Sequence, residues 1–141
     1  MINCIILTHG DLGQSLLSTT ETIIGECPGI KIISNEQTSL KDLIVILEEA
    51  VTEWNENEVV IMVDFCGGSC WHAARVVKRD KAHVALISGV NLPVMLAFIS
   101  KRDSYKLPEF IDYLRESQIK GTVTVHGLEP DPEDNDELLE S

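Results

Sequence analysis

Residues 59–69 read VVIMVDFCGGS, and this stretch decides the fold class. Its first five residues are all apolar and lack the polar alternation of a strand with one face in solvent. Strands of this kind are typical of parallel sheets that helices cover on both faces. We therefore predict a buried strand over Val59–Val63, a loop over Asp64–Gly68, and a helix from Ser69 to about Arg79.

Apolar runs alternate with helical segments on both sides of this strand. Further strands are predicted over Ile2–Leu7, Ile30–Ser34 and His83–Ser88, with a more exposed edge strand over Thr122–Val125. Further helices are predicted over Leu12–Ile24, whose leucines and isoleucines fall near one face, over Leu40–Trp54 behind the cap Ser39, and over Pro93–Lys101 and Pro108–Ser117. This alternation predicts one α/β domain with a doubly wound, mostly parallel sheet and helices on both faces.

The length and composition fit one globular domain. The chain has 141 residues, of which 44% are hydrophobic and 24% are charged. Its longest apolar runs are far shorter than the ~18 residues of a membrane span. Its first residues show no secretory signal. We therefore expect a cytoplasmic protein whose four cysteines are free thiols.

Acidic residues dominate the charge of the chain. There are 23 acidic and 11 basic residues, for a net charge of −12, and seven of the acids lie in residues 129–141. We expect a folded domain over residues 1–128 and a disordered acidic tail over residues 129–141. Because an acidic surface repels phosphate backbones, no nucleic-acid binding is expected, and a basic protein partner is favoured.

Three loops are expected to meet at one edge of the sheet. Ligands of open parallel sheets bind beyond the carboxyl ends of the strands. The loops Thr8–Asp11, Asp64–Ser69 and Gly89–Pro93 each follow such a strand and are rich in glycine or polar residues. They form the candidate site, with Thr8 and Phe65 at its rim.

His9 and Asp64 are the candidate catalytic pair. His9 directly follows the first predicted strand, and Asp64 follows the third. An imidazole is largely neutral near pH 7 and can act as a nucleophile. A carboxylate bonded to one ring nitrogen fixes the tautomer and leaves the other nitrogen free to attack. A surface histidine that only ends a loop is the alternative interpretation of His9.

Gly67, Gly68 and Ser69 open the helix that follows Asp64. Glycine allows backbone N–H groups to approach a ligand closely, and the positive end of a helix favours anions. Ser69 as an ordinary N-cap is the alternative interpretation, and it is compatible with the first. Together with His9, this turn predicts transfer of a phosphoryl group through the imidazole, a scheme that demands no metal and no cofactor.

A rival hypothesis uses the thiols near the same loop. Cys66, Cys70 and His72, with His9 nearby in space, offer side chains of the types that zinc prefers. Cys70 near a helix start is also a candidate redox-sensitive thiol. The Cys-x3-Cys-x-His spacing matches no standard zinc module, however, and zinc would occupy the nucleophile. We therefore predict no metal, with a zinc or thiol sensor as the lesser alternative.

Three segments together resemble a known family. They are Ile5–Gly10, Val63–Ser69 and Gly89–Met95. In this order and spacing they resemble enzyme IIA of the mannose/fructose/sorbose family of the bacterial phosphoenolpyruvate-dependent sugar phosphotransferase system. The resemblance covers about residues 1–128. It implies a phosphotransferase in which His9 accepts a phosphoryl group from the phosphocarrier HPr and passes it to enzyme IIB for sugar uptake.

The resemblance also implies roles for the neighbouring residues. Asp64 would orient the histidine ring, and Gly68 with Ser69 would receive the phosphoryl oxygens. Asn91 and Pro93 would support the rim of the site. Contact with a membrane is expected only indirectly, through the transporter components of such a system.

The quaternary structure and the choice of partner also follow from the resemblance. Family members are homodimers whose last, antiparallel strand is exchanged between subunits, and Thr122–Val125 is the matching strand. The sequence departs from the family after Gly-Gly-Ser, where Cys70–His72 replaces the usual Pro-Phe-Asn. This departure leaves the choice of partner open. A phosphohistidine regulatory domain that is not coupled to transport is therefore the alternative function.

Overall fold

The computed structural model describes residues 1–129 of the chain. Strands and helices alternate along this part in the order β1 (Asn3–Thr8), α1 (Leu12–Ile24), β2 (Ile30–Ser34), α2 (Leu40–Thr52), β3 (Val59–Val63), α3 (Ser69–Lys78), β4 (Val84–Ile87), α4 (Leu92–Lys101) and α5 (Leu107–Lys120). The predicted acidic tail, apart from Glu129, lies outside the described residues.

The strands form one parallel sheet in the order β2-β1-β3-β4. The register places Leu7 of β1 beside Ile33 of β2 and beside Val63 of β3, so these three strands end at the same edge. Both central strands, β1 and β3, are buried along their whole length. The buried parallel strand predicted over Val59–Val63 is therefore confirmed.

Helices cover both faces of the sheet. Successive side chains of a strand point to opposite faces. Ile6 accordingly belongs to a buried cluster with Phe98 of α4 and Phe110 of α5. Ile5 belongs to a second cluster, on the other face, with Leu47 of α2 and residues of α3. Each fully buried side chain of this size contributes about 1.5–3 kcal/mol. The doubly wound α/β architecture is confirmed.

Polar side chains fix two of the helix starts. Ser39 Oγ accepts a hydrogen bond from the backbone N–H three residues later, at 3.1 Å, and so caps α2. Asn91 Oδ1 caps α4 in the same way, at 2.9 Å. Helix α3 begins differently, because its N-cap is Gly68 in an extended conformation. Ser69 is thus the first helical residue, and its interpretation as an N-cap was wrong.

Helix α1 approaches the sheet through small residues. A Cβ on Gly13 would lie 3.1 Å from Ile6 Cγ2, so the glycine allows the helix backbone to lie almost directly on the strand. Thr20 of the same helix is also buried, whereas Leu12 and Ile23 are exposed. Part of the predicted apolar face of α1 therefore points to solvent, because the small side chains occupy the contact with the sheet.

The segment after α5 has no regular structure over residues 122–126. Val123 and Val125 are 74% and 68% exposed. Within residues 1–129, the edge strand predicted over Thr122–Val125 does not form, and this segment pairs with neither edge of the sheet. Its antiparallel pairing and its exchange between two subunits stay predictions.

The cysteines and the helix lengths agree with the composition of the chain. All four cysteines are free thiols, as predicted, and Cys66 is exposed whereas the other three are buried. Within residues 1–129, no helix combines the length and the apolar character needed to cross a membrane.

Candidate functional site

The ends of β1 and β3 bring His9 and Asp64 together. These strands are parallel neighbours, so the residues that follow them meet at one edge of the sheet. His9 Nδ1 lies 2.8 Å from Asp64 Oδ2, and the His9 backbone N–H donates to the same oxygen at 2.9 Å. Two bonds from one residue to one oxygen hold both the backbone and the ring of the histidine. The side chains are 38% exposed for His9 and 11% exposed for Asp64.

The charge of Asp64 sets the tautomer of the histidine. Burial acts to raise the pKa of the Asp64 carboxyl, but the hydrogen bonds from the His9 backbone and ring outweigh it, and this pKa is lowered. The carboxylate is therefore ionised at neutral pH and can only accept hydrogen bonds. Nδ1 must then carry the hydrogen, which leaves the lone pair on Nε2 of the partly exposed ring available for attack.

Phe65 packs against the histidine ring. The two ring centroids lie 5.0 Å apart with an interplanar angle of 25°, and Phe65 is itself 52% exposed. Its backbone N–H donates to Asp64 Oδ1 at 3.1 Å, so the carboxylate organises this residue as well. Phe65 therefore covers one face of the imidazole and is itself exposed to solvent.

The glycines after Phe65 allow the start of α3 to lie beside the ring. Gly67 has a φ of +103°, a backbone conformation that favours glycine. A Cβ on Gly68 would lie 2.7 Å from Phe65 Cζ and 3.1 Å from His9 Cε1, so a side chain there would displace the Phe65 ring and press against the histidine. The first N–H groups of a helix have no partner within the helix and carry partial positive charge. This end of α3 therefore adjoins the histidine.

Asn35, at the carboxyl end of β2, links the loops of the site. Its Oδ1 accepts a hydrogen bond from the Gly10 backbone N–H at 3.3 Å, and its Nδ2 donates to Ser69 Oγ at 3.4 Å. Its backbone N–H donates to the carbonyl oxygen of Thr8. Asn35 is not among the predicted site residues, although the rule that ligands bind beyond the carboxyl ends of parallel strands also applies to β2.

The other predicted rim residues lie at different depths. Thr8 is buried, and its Oγ1 accepts a hydrogen bond from the Gly13 backbone N–H at 2.8 Å, which holds the start of α1 beneath the site.

Asn91 and Pro93 lie in the loop after β4 and at the start of α4. Asn91 Oδ1 accepts a hydrogen bond from the Val94 backbone N–H, and its Nδ2 donates to the carbonyl oxygen of Gln118 at 3.1 Å. A Cβ on Gly121 would meet the ring of Pro93 at 2.4 Å. Asn91 and Pro93 thus hold the loop after β4 against α5.

Cys70 is the thiol that reaches the histidine. Its Sγ lies 3.7 Å from His9 Nδ1, and the residue is completely buried. Burial raises the pKa of the Cys70 thiol to about 11, and the nearby Asp64 charge adds to the effect, so the thiol is neutral at physiological pH. The redox hypothesis requires a lowered thiol pKa, so it is wrong for Cys70.

The metal-ligand set of the rival hypothesis is also wrong. Within residues 1–129, the one group of three potential ligands whose atoms lie within 4.8 Å of one another comprises His9, Asp64 and Cys70. Cys66 and His72 are exposed and are not members of this group. The spacing of Cys66, Cys70 and His72 along the chain did not indicate Asp64 as a potential ligand, because Asp64 is not part of that Cys-x3-Cys-x-His pattern.

The family follows from comparison with known proteins. Residues 3–114 match the model of the EIIA-man family, described as the PTS system fructose IIA component. The chain belongs to this family. The resemblance seen in the sequence is thereby confirmed, and this IIA protein is a phosphotransferase-system protein of the mannose/fructose/sorbose group.

Individual relatives agree with the family. The IIA protein is 25% identical, over 115 residues, to the sorbose-specific EIIA component of Klebsiella pneumoniae, with 82% of this chain and 85% of the relative covered. It is 29% identical, over 136 residues, to the mannose-specific EIIAB component of Escherichia coli K12, with 93% of this chain but only 41% of that longer relative covered. The crystal structure of the component EIIA from Streptococcus agalactiae has the same fold, with a TM-score of 0.82 at 23% identity, covering 88% and 97% of the two chains.

Proposed function

We propose that this IIA protein relays a phosphoryl group through His9. It accepts the group from phosphorylated HPr and passes it to an enzyme IIB for sugar uptake. The observation that carries this proposal is the 2.8 Å bond between His9 Nδ1 and Asp64 Oδ2, which leaves Nε2 of a partly exposed ring free to attack. Family membership supports the reaction class, and the geometry supports the residue.

The transfer step uses the lone pair of His9 Nε2. A bond forms between Nε2 and phosphorus, while the bond between phosphorus and the donor breaks and its electron pair leaves with the donor. The imidazole gains positive charge as the bond forms. Asp64, held 2.8 Å from Nδ1, stabilises that charge without taking the proton. In the second transfer the same events run in the opposite direction, with enzyme IIB as the acceptor.

The start of α3 is the proposed site for the phosphoryl oxygens. The N-terminal N–H groups of a helix bind anions, and Gly67 and Gly68 keep side chains away from this approach. The Ser69 hydroxyl oxygen accepts a hydrogen bond from Asn35, and the hydroxyl hydrogen can be donated to a phosphoryl oxygen. Phe65 restricts the access of water to one face of the ring.

Charge and exposed apolar side chains support the proposed partners. The net charge of −12 favours encounter with a protein partner that has a basic surface. Ile119, Val123, Val125 and Leu128 at the end of the described chain are all exposed. Such a cluster of apolar side chains supports a homodimer in which this segment pairs with a second copy.

The experiment that tests the relay follows labelled phosphate from phosphoenolpyruvate through enzyme I and HPr. We expect one acid-labile phosphoryl group per chain, lost in His9→Gln and retained in the matched control His72→Gln, since His72 is exposed and outside the cluster. Equal labelling of His9→Gln would overturn the proposal. When purified enzyme IIB is added to the labelled protein, the label should move to it. Label that stays on the IIA protein would favour the regulatory alternative.

A further inference from the structure

Three side chains of different chemistry converge on one point in the site. His9 Nδ1 comes from the end of β1, Asp64 Oδ2 from the end of β3, and Cys70 Sγ from the first turn of α3. The nitrogen lies 2.8 Å from the oxygen and 3.7 Å from the sulfur, and all three atoms lie within 4.8 Å of one another. The proposed relay uses the first two and gives no task to the sulfur.

The spacing of these atoms fits coordination of a small metal ion. Zinc bonds of ~2.3 Å to sulfur and ~2.1 Å to nitrogen, at a tetrahedral angle, separate those two ligands by about 3.6 Å. The sulfur and the nitrogen here lie 3.7 Å apart. The oxygen has to withdraw from the nitrogen by about 0.6 Å, to the ~3.4 Å of a tetrahedral nitrogen–oxygen pair. A rotation of the Asp64 side chain is enough for this.

The ligand types select the class of metal. One thiol, one imidazole and one carboxylate suit zinc and similar transition metals, whereas magnesium and calcium prefer oxygen ligands alone. The ion would enter from the side of His9, whose side chain is 38% exposed, because Cys70 is completely buried behind it. Three protein ligands leave a fourth position for water.

We propose that His9, Asp64 and Cys70 bind one thiophilic divalent metal ion such as Zn²⁺, and that the bound ion blocks phosphoryl acceptance. The blocking part of the proposal rests on the proposed function. Metal binding releases the Cys70 thiol proton to solvent, moves the imidazole hydrogen of His9 from Nδ1 to Nε2 through exchange with water, and breaks the hydrogen bond between Nδ1 and Asp64 Oδ2. With the lone pair of Nδ1 bound to the ion and a hydrogen on Nε2, the ring has no lone pair left to attack phosphorus. The IIA protein would therefore transfer phosphate only while the ion is absent.

The first experiment measures metal binding without any phosphate. Co²⁺, a spectroscopic substitute for Zn²⁺, is titrated into the reduced protein, and the thiolate-to-cobalt charge-transfer absorption is recorded. We expect one equivalent of Co²⁺ to saturate the absorption and Zn²⁺ to abolish it. Cys70→Ser should lose the absorption and weaken Zn²⁺ binding by at least about 100-fold, beyond the ~10–100-fold loss typical of outer-shell changes. The matched control Cys66→Ser changes an exposed thiol and should behave as the unaltered protein.

The outcomes separate the site from its alternatives. No charge-transfer absorption in the unaltered protein, or the same absorption in Cys70→Ser, would overturn the metal site. Absorption that is lost in Cys66→Ser would also overturn it, because the ligand would then be the other thiol. Far-ultraviolet circular dichroism verifies that each variant is folded, and serine nearly conserves the volume of the buried cysteine.

The second experiment measures phosphoryl acceptance from purified, phosphorylated HPr with and without saturating Zn²⁺. The acceptance rate of the unaltered protein should fall at least tenfold, while Cys70→Ser keeps the rate that it has without zinc. An unchanged rate in the unaltered protein would overturn the block but leave the metal site standing. If HPr does not label the zinc-free protein at all, the proposed function fails, and the cobalt absorption still decides the metal site.

Discussion

At the scale of single residues, the proposed chemistry depends on one carboxylate oxygen. Asp64 Oδ2 accepts hydrogen bonds from the backbone and from Nδ1 of His9, so it positions the nucleophile and sets its tautomer together. The second oxygen accepts from the Phe65 backbone, which places the ring that covers the imidazole. Asp64 is therefore a positioning residue, and its charge matters more than its shape.

Substitution of Asp64 tests this role. Asp64→Asn keeps the size of the side chain but removes its charge, so the amide can hold the wrong tautomer of His9. We expect phosphoryl acceptance from HPr to slow by at least about 100-fold. The control Asp112→Asn removes an exposed charge on α5 and should leave the rate unchanged. An equal rate for Asp64→Asn would show that the carboxylate is not needed to orient the ring.

The lowered pKa of Asp64 predicts how stability depends on pH. A carboxyl whose pKa is lower in the folded state than in the unfolded state adds stability above its unfolded value, near pH 4, and loses it as the pH falls through the folded value. The free energy of unfolding should therefore decrease more steeply below about pH 4 in the unaltered protein than in Asp64→Asn. Urea unfolding curves at a series of pH values measure this, and parallel decreases would contradict it.

At the scale of elements, the site is built by strand ends and by close contacts of glycine. The parallel neighbours β1 and β3 deliver His9 and Asp64 to one edge, and Gly68 lets α3 begin beside them. On the same face of the sheet as α4, Gly13 lets α1 lie against β1, and its N–H is held by Thr8 Oγ1 directly beneath His9. The position of α1 therefore supports the loop that carries the histidine.

Gly13 offers a test of this support. Gly13→Val adds a branched side chain where even a Cβ alone would lie 3.1 Å from Ile6 Cγ2 and from Thr8 Oγ1. We expect the free energy of unfolding to decrease by about 1–3 kcal/mol through overpacking. The control Gln14→Val introduces the same residue at the exposed neighbouring position of α1 and should cost well under 1 kcal/mol. Equal losses in urea unfolding would show that the contact with the sheet is not tight.

At the scale of the whole molecule, the single chain leaves apolar surface uncovered. The segment after α5 exposes Val123 and Val125, and β4 forms an edge of the sheet with no strand beyond it among residues 1–129. An uncovered edge strand readily pairs with another chain. Both features agree with the proposed homodimer, in which the segment of one subunit would pair with the other.

Charged residues introduced into the segment after α5 test whether it forms the dimer interface. Val123→Asp combined with Val125→Asp should weaken association, because the aspartates would have to be buried at the interface. Sedimentation equilibrium should show a dimer for the unaltered protein and a monomer for the double variant. Val45→Asp changes an equally apolar, exposed residue on α2 and should remain dimeric. A monomer for the unaltered protein, or a dimer for the double variant, would contradict this role of the segment.

The sequence predicted the sheet and the central pair of the site, but it missed interactions that depend on side-chain direction. The continuous apolar run Val59–Val63 fits only a buried strand. Because residues that follow neighbouring parallel strands meet at one edge of the sheet, the pattern then predicts that His9 and Asp64 lie close together. The sequence placed His9 near Cys66, Cys70 and His72. Which of these side chains reaches the ring depends on how α3 is rotated about its axis, which its pattern does not specify. Thr122–Val125 has a strand pattern but pairs with no strand among the residues that the structure describes.

Nuclear magnetic resonance of the phosphorylated protein tests the central claim most directly. After reaction with phosphorylated HPr, a long-range proton–nitrogen spectrum identifies which imidazole nitrogen of which histidine carries phosphorus. The proposed relay predicts a single phosphohistidine, His9, bonded to phosphorus through Nε2, with Nδ1 still protonated toward Asp64. Phosphorus on Nδ1 of His9, or on His72, His83 or His126, would contradict it.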